Sequence, residues 1–170
     1  EIPHPERQPI MWDNPEVQPH AAALGKSFGY KGEQLELLDF EATPHVLISG
    51  TTGSGKSTLL QVLLTSLCQS TPPSELRLVL IDMKNEDLPP FAKLPHVQEV
   101  ATTGESAARL LTWVRDEKDR RVASGGKKHQ RIVLVIDELA ELTSTLKEQN
   151  VKPSVFSSIL SIGRSKSINV

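Results

Sequence analysis

Apolar residues gather in this chain into three short runs, His45 to Ser49 (HVLIS), Leu76 to Ile81 (LRLVLI) and Ile132 to Ile136 (IVLVI). Runs of that length are too brief for a buried helix and fit strands covered on both faces. Between them the apolar period lengthens. Residues 56–69 carry Leu59, Leu60, Val62, Leu63, Leu64 and Leu67 at helical spacing, and Ser70, Thr71, Pro72 and Pro73 end the pattern. A second helix is predicted over 104–123, with Ala107, Leu110, Leu111 and Val114 inward. Its pairs Asp116/Arg120 and Glu117/Arg121 are expected to form a solvated face. Residues 153–163 also have helical period. Leu35 to Phe40 (LELLDF) predicts a short strand, Thr43 and Pro44 a turn, the proline-containing stretch Leu88 to His96 a loop, and Ile168 to Val170 the opening of a further strand. Residues 1–34 hold five of the twelve prolines, so they are expected to be an extended lead-in without packed elements, with the folded domain over 35–170. Strands alternating with helices predict a doubly wound α/β fold with a parallel sheet and helices on both faces.

Composition narrows the function classes only modestly. A chain of 170 residues is one domain large enough for a substantial core. With a net charge of −2 and 4% aromatic residues, any nucleic-acid contact must rest on local loops or on a ring of subunits. The single cysteine, Cys68, lies among leucines, excludes an internal disulfide framework and fits a reducing cytoplasm. No apolar run approaches a membrane span. The chain begins at Glu1 without Met and stops at Val170 as a strand opens, which suggests an incomplete domain truncated on its C-terminal side and leaves any membrane anchor to segments outside these residues.

Chemistry concentrates where the strands end. Gly50, Thr51, Thr52, Gly53, Ser54, Gly55, Lys56 and Ser57 read GTTGSGKS, a full match to GxxxxGK[ST] between a predicted strand and a predicted helix. In such a loop Gly53 and Gly55 turn the chain so that backbone N–H groups, continuing to Thr58, face a phosphate at a helix N-terminus. Lys56 would reach the β- and γ-phosphates of ATP, and the Ser57 hydroxyl would ligate Mg²⁺. The other two strands end in Asp82 and in Asp137/Glu138, and ligands of open α/β sheets sit at the carboxyl ends of the strands. Asp137 after an apolar run has the form of a Walker B acid that holds Mg²⁺, and Glu138 is placed to orient or deprotonate the attacking water. The alternative is that Asp137 and Glu138 cap the next helix. A strand falls between the phosphate-loop strand and the Asp137 strand, an insertion that separates RecA-like ATPases from simple nucleotide kinases and favours hydrolysis coupled to work.

Taken together the motifs resemble the FtsK/SpoIIIE double-stranded DNA translocases, within the HerA/FtsK group of P-loop ATPases. The resemblance rests on GTTGSGKS; on Leu78 to Leu88 (LVLIDMKNEDL) beside the family's IDPKxxEL; on Leu94 to Val97 (LPHV) beside IPHL; on Val135 to Leu142 (VIDELAEL) beside VIDExADL; and on Gly163 to Asn169 (GRSKSIN) beside ARxxGIH. Leu24 to Lys26 (LGK) falls where the family has ALGK, and a trace extends to Glu1 to Pro3. Met83 replaces the usual Pro, Asp87 the usual Glu, Ser167 the usual Gly and Asn169 the usual His, and the stretch from Arg121 to the Asp137 strand is shorter than in the chromosomal translocases, so the chain resembles a divergent member. The resemblance implies a RecA-like motor domain, ATP with Mg²⁺, duplex DNA as partner and a homohexameric ring with active sites between subunits. It makes Arg164 a candidate trans finger onto the γ-phosphate, the alternative being a helix C-terminal or subunit contact. Asp82 and Lys84 take either a structural or coupling role or a catalytic one, and His96 is expected to be structural. The basic cluster Lys127, Lys128, His129 and Arg131 is either a phosphate-backbone contact or a solvated turn. Two rivals remain: a type VII secretion-like protein-export ATPase of the same fold, and a module that binds ATP without turnover.

Overall fold

The computed structural model describes residues 15–30, 32–125, 128–149, 151–152 and 154–170. Its centre is a parallel sheet of β3 (Leu76–Asp82), β4 (Val97–Ala101), β5 (Arg131–Asp137) and β6 (Ile168–Asn169), in the order β4-β3-β5-β6. Helices cover both faces because the strands alternate. On one face Val79, Ile81, Ile132, Leu134 and Ile168 meet α2 (Gly104–Ala123), α3 (Leu139–Glu148) and α4 (Ser154–Ile162) through Leu110, Leu111, Leu142 and Ile159. On the other, Leu78, Leu80 and Val133 meet Leu63, Leu64 and Leu67 of α1 (Lys56–Ser70). The expected α/β class, parallel sheet and two-sided helical cover are all present.

Several local expectations need correction. Residues 21–34 are not an unpacked lead-in: β1 (Ala21–Gly29) pairs antiparallel with β2 (Gly32–Asp39) and lies on α1. The contact is close because Ala21, Ala22 and Ala23 are small, and Ala23 donates its amide to the Ser66 hydroxyl at 2.8 Å. Five prolines hid this strand, since all of them precede it. The stretch 88–96, expected as loop, contains a 3₁₀ turn over Pro89–Lys93 and leads directly into β4, which is half-polar (VQEVA) because it lies at the sheet edge. His45 to Ser49 is extended but is not a laddered strand; among the described residues its sheet contact is the Val46 amide to the Val170 carbonyl at 2.8 Å. That bond puts the phosphate-loop approach beside the β6 end. The strand standing between it and β5 in space is therefore β6, while β3 lies on the far side of β5.

The charged positions of α2 are also not a simple solvated face. Arg121 is 3% exposed, bonds Glu117 and donates to the carbonyls of Lys166 and Ser167. Lys118 is buried against Ser158 of α4, and Asp116 pairs with Arg115 in place of Arg120. Long basic side chains on a helix reach over neighbouring elements when carbonyls await them.

Candidate functional site: a phosphate loop at the carboxyl edge of the sheet

Residues 50–55 form an exposed loop that ends at α1. Gly53 has φ 77° and Gly55 φ 95°, left-handed conformations that cost a side-chain-bearing residue about 1–2 kcal/mol each. Gly55 is the N-cap of α1, and neither a capping side chain nor a first-turn acid occupies that helix end. The contrast with α2 is informative: there Thr103 and Ser106 close a capping box and Glu105 stands in the first turn. The first amides of α1 are left for an external anion.

Behind the loop, charged groups from the start of α1 and from the ends of β5 and β3 converge. Lys56 Nζ donates to Asp137 Oδ1 at 2.7 Å, and Asp137, at the last position of β5, is 7% exposed in its side chain. This hydrogen bond is the main reason the Lys56 pKa lies above the ordinary lysine value. Glu138 follows at φ 61°, a left-handed backbone unusual for a residue with a long side chain. It occupies the N-cap of α3, yet its carboxylate does not cap the helix; Oε2 accepts from Lys84 Nζ at 3.0 Å. The same bond lowers the Glu138 pKa and raises that of Lys84, and both groups are well exposed.

The second strand contributes more than spacing suggested. Asp82 is fully buried, and its carboxylate accepts the backbone amides of Lys84 and Asn85 on Oδ1 and of Glu86, Asp87 and Leu88 on Oδ2, at 2.9–3.1 Å. One side chain thus fixes a whole loop, which is a structural answer for Asp82. Asp87 on that loop accepts the Ser57 hydroxyl on Oδ2 at 2.5 Å. In the sequence Asp87 stands out only as a departure from the family pattern; its bond to Ser57 crosses 30 positions and leaves no periodic signal.

Elsewhere the candidate residues separate. His96 is buried with Nε2 against the Thr71 carbonyl at 2.8 Å. Arg131 is no surface group: it is 8% exposed, donates to the Phe40 carbonyl and to Asn169 Oδ1, and burial lowers its pKa. Asn169 in turn donates to the carbonyls of Phe40, Thr43 and Pro44, tying β5 and β6 to the turn before the phosphate loop. Lys127 lies outside the described residues, as does Glu1 to Pro3; Arg164 has its backbone in the 3₁₀ turn Gly163–Lys166, and its side chain lies outside the described residues.

A cavity of about 610 Å³ opens between α1, β5 and the segment 45–50 and reaches Lys56, Asp137 and Glu138. Its walls are otherwise mainly aliphatic, so phosphates belong at its polar rim and not in its depth. Among the described residues no cluster of three or more His, Cys, Asp or Glu can cage a metal. A hydroxyl, one carboxylate and an open loop fit a Mg²⁺ that completes its shell with water and nucleotide oxygens.

A glycine loop at an uncapped helix start, beside the carboxyl ends of parallel strands, defines a P-loop NTPase fold of the RecA-like kind. Solved structures agree on that fold. Thermomonospora curvata EccC (ATPases 2 and 3), in complex with a signal sequence peptide, superposes with a TM-score of 0.75 at 19% identity over 89% of this chain and 28% of that one. The pCW3 conjugation coupling protein TcpA, in monomer form with ATPγS, gives 0.71 at 24% identity over 98% and 51%. The FtsK/SpoIIIE family model matches residues 11–124, and the chain belongs to that family. Among relatives, the DNA translocase SftA of Bacillus subtilis (strain 168) is 37% identical over 145 residues, 73% of this chain and 15% of its own length. The DNA translocase FtsK of Tropheryma whipplei (strain TW08/27) is 33% identical over 76% of this chain and 18% of its own. The chain therefore spans less than a fifth of the length of these relatives. Among its described residues no helix is long and apolar enough to cross a membrane.

Proposed function

We propose that this chain is the nucleotide-binding part of a motor that hydrolyses ATP, in the cytoplasm, to move double-stranded DNA through a homohexameric ring. The observation that carries the reading is the 2.7 Å bond between Lys56 and Asp137, residues 81 positions apart that share one sheet edge with the open start of α1. In the proposed mechanism the amides from Gly50 to Thr58 bind the phosphates and Lys56 neutralises them. Ser57 and Asp137 would hold Mg²⁺, and the chemistry it would supply is screening of the phosphoryl charge. Glu138, held clear of its helix end by the left-handed backbone, orients the attacking water and takes its proton. Arg164 is proposed, on the family resemblance, as the trans finger for the γ-phosphate bound by a neighbouring subunit. DNA is the proposed cargo because the sequence relatives at 33–37% identity are named DNA translocases, whereas the likeness to EccC, at 19%, is one of fold alone.

The test is ATPase rate against duplex DNA, using the full-length protein and its Glu138→Gln variant. Duplex DNA should stimulate the parent, and the variant should lose about 10²- to 10⁴-fold in rate while still binding nucleotide. A rate that duplex DNA leaves unchanged and that a secreted polypeptide raises would replace this reading with protein export.

A further inference from the structure

A hydroxyl that ligates a cation uses an oxygen lone pair for the metal and must direct its proton elsewhere. In this chain the Ser57 proton already has a destination: Oδ2 of Asp87, at 2.5 Å. Asp137 accepts from Lys56 on Oδ1, while the Ser57 hydroxyl turns to Asp87. Asp87 is not a loose surface acid that happens to lie near. The five amides gathered by the buried Asp82 carboxylate include its own N–H and those of both neighbours, which fixes the loop at the height of the α1 start. Its side chain is half-buried and faces a hydroxyl on a different element.

Resting on the Mg²⁺-nucleotide reading above, we propose that Asp87 is a positioning residue for the cation: it accepts the Ser57 proton, aims the oxygen lone pair at Mg²⁺, and adds a negative charge behind that ligand. The link also ties the loop after β3 to the start of α1. Shortening from the Glu usual in the resembling family to Asp suits a loop that Asp82 has already drawn close.

Fluorescent mant-ADP binding by the full-length protein tests this, with Mg²⁺ titrated from EDTA-treated samples. Asp87→Ala should raise the Mg²⁺ concentration at half-effect about 10- to 100-fold while leaving affinity in EDTA within about twofold, since outer partners of metal ligands carry weight of that order. Asp87→Glu should recover most of the loss, because it restores a charged acceptor. An unchanged Mg²⁺ midpoint in Asp87→Ala overturns the proposal, and so does an equal loss of affinity in EDTA, which would make Asp87 a support of the loop alone. Failure of the underlying reading looks different: the parent protein itself would bind no mant-ADP in either condition.

Discussion

Replacing Glu117 by Gln tests how the segment leading into β6 is held. Glu117 accepts from Arg120 Nε and Nη2 and from Arg121 Nε, each at 2.7 Å, and Arg121 carries the link onward to the carbonyls of Lys166 and Ser167, beside the turn that bears Arg164. The two guanidinium partners, Arg120 first, hold the Glu117 carboxyl down at about 2, against an ordinary 4.5. At 1.36 kcal/mol per unit that difference sets a ceiling of about 3 kcal/mol. Two effects reduce it: Arg120 is 64% exposed, so water screens its share, and burial pushes the Arg121 pKa down, so desolvating that guanidinium offsets part of the gain. The expected loss in Glu117→Gln is about 2 kcal/mol at pH 7. Because the folded-state pKa is depressed, the contribution is whole above about pH 4.5 and vanishes as pH falls through about 2. Urea denaturation of parent and variant at pH 7 and pH 3 gives the measurement, with the difference at pH 3 about half that at pH 7 or less. Equal stability at pH 7, or a difference that stays flat between the two pH values, would refute this account.

Lys56→Ala should abolish detectable mant-nucleotide binding, because it removes the positive charge beside the phosphate loop and leaves the nearly buried Asp137 without its cation; binding at parental affinity would contradict the cradle. Ser167 stands at φ 57°, where the resembling family has Gly. Ser167→Gly should therefore stabilise the fold by about 0.5 kcal/mol, the relief of left-handed strain less the backbone entropy glycine adds to the unfolded chain, and a thermal shift downward would count against it.

Much of the fold was legible because its signals are local. Apolar runs of six and five residues and a glycine loop before a leucine face specify β3, β5 and α1 within the chain itself, and α2 appears with the bounds its apolar spacing predicts. What escaped depends on partners far away in sequence. β1 is a strand because three alanines fit against Ser66 and Ser70, not because its own residues favour extension. Arg121 and Arg131 look like surface charges until carbonyls from the β6 region and from Phe40 are placed beside them. The site divides in the same way. Lys56, Ser57, Asp137 and Glu138 announce themselves by motif, whereas Asp87 and the amide-gathering role of Asp82 exist only once β3 stands beside β5 and its following loop meets α1.

The two ion pairs at the site differ in how deeply their carboxylates are buried. Asp137 is 7% exposed, and a carboxylate that deep requires a positive partner or several donors at all times. Lys56 fills that need here, so on the proposed reading the lysine can turn to phosphate at low cost only when a second cation replaces it at Asp137. Glu138 faces no such constraint, since it and Lys84 are 36% and 43% exposed and water can take over from either partner. The two ion pairs therefore differ in kind. On the proposed reading Lys56–Asp137 couples lysine movement to the arrival of metal, so Mg²⁺ strengthens nucleotide binding, while Lys84–Glu138 can break without compensation and frees the acid for water.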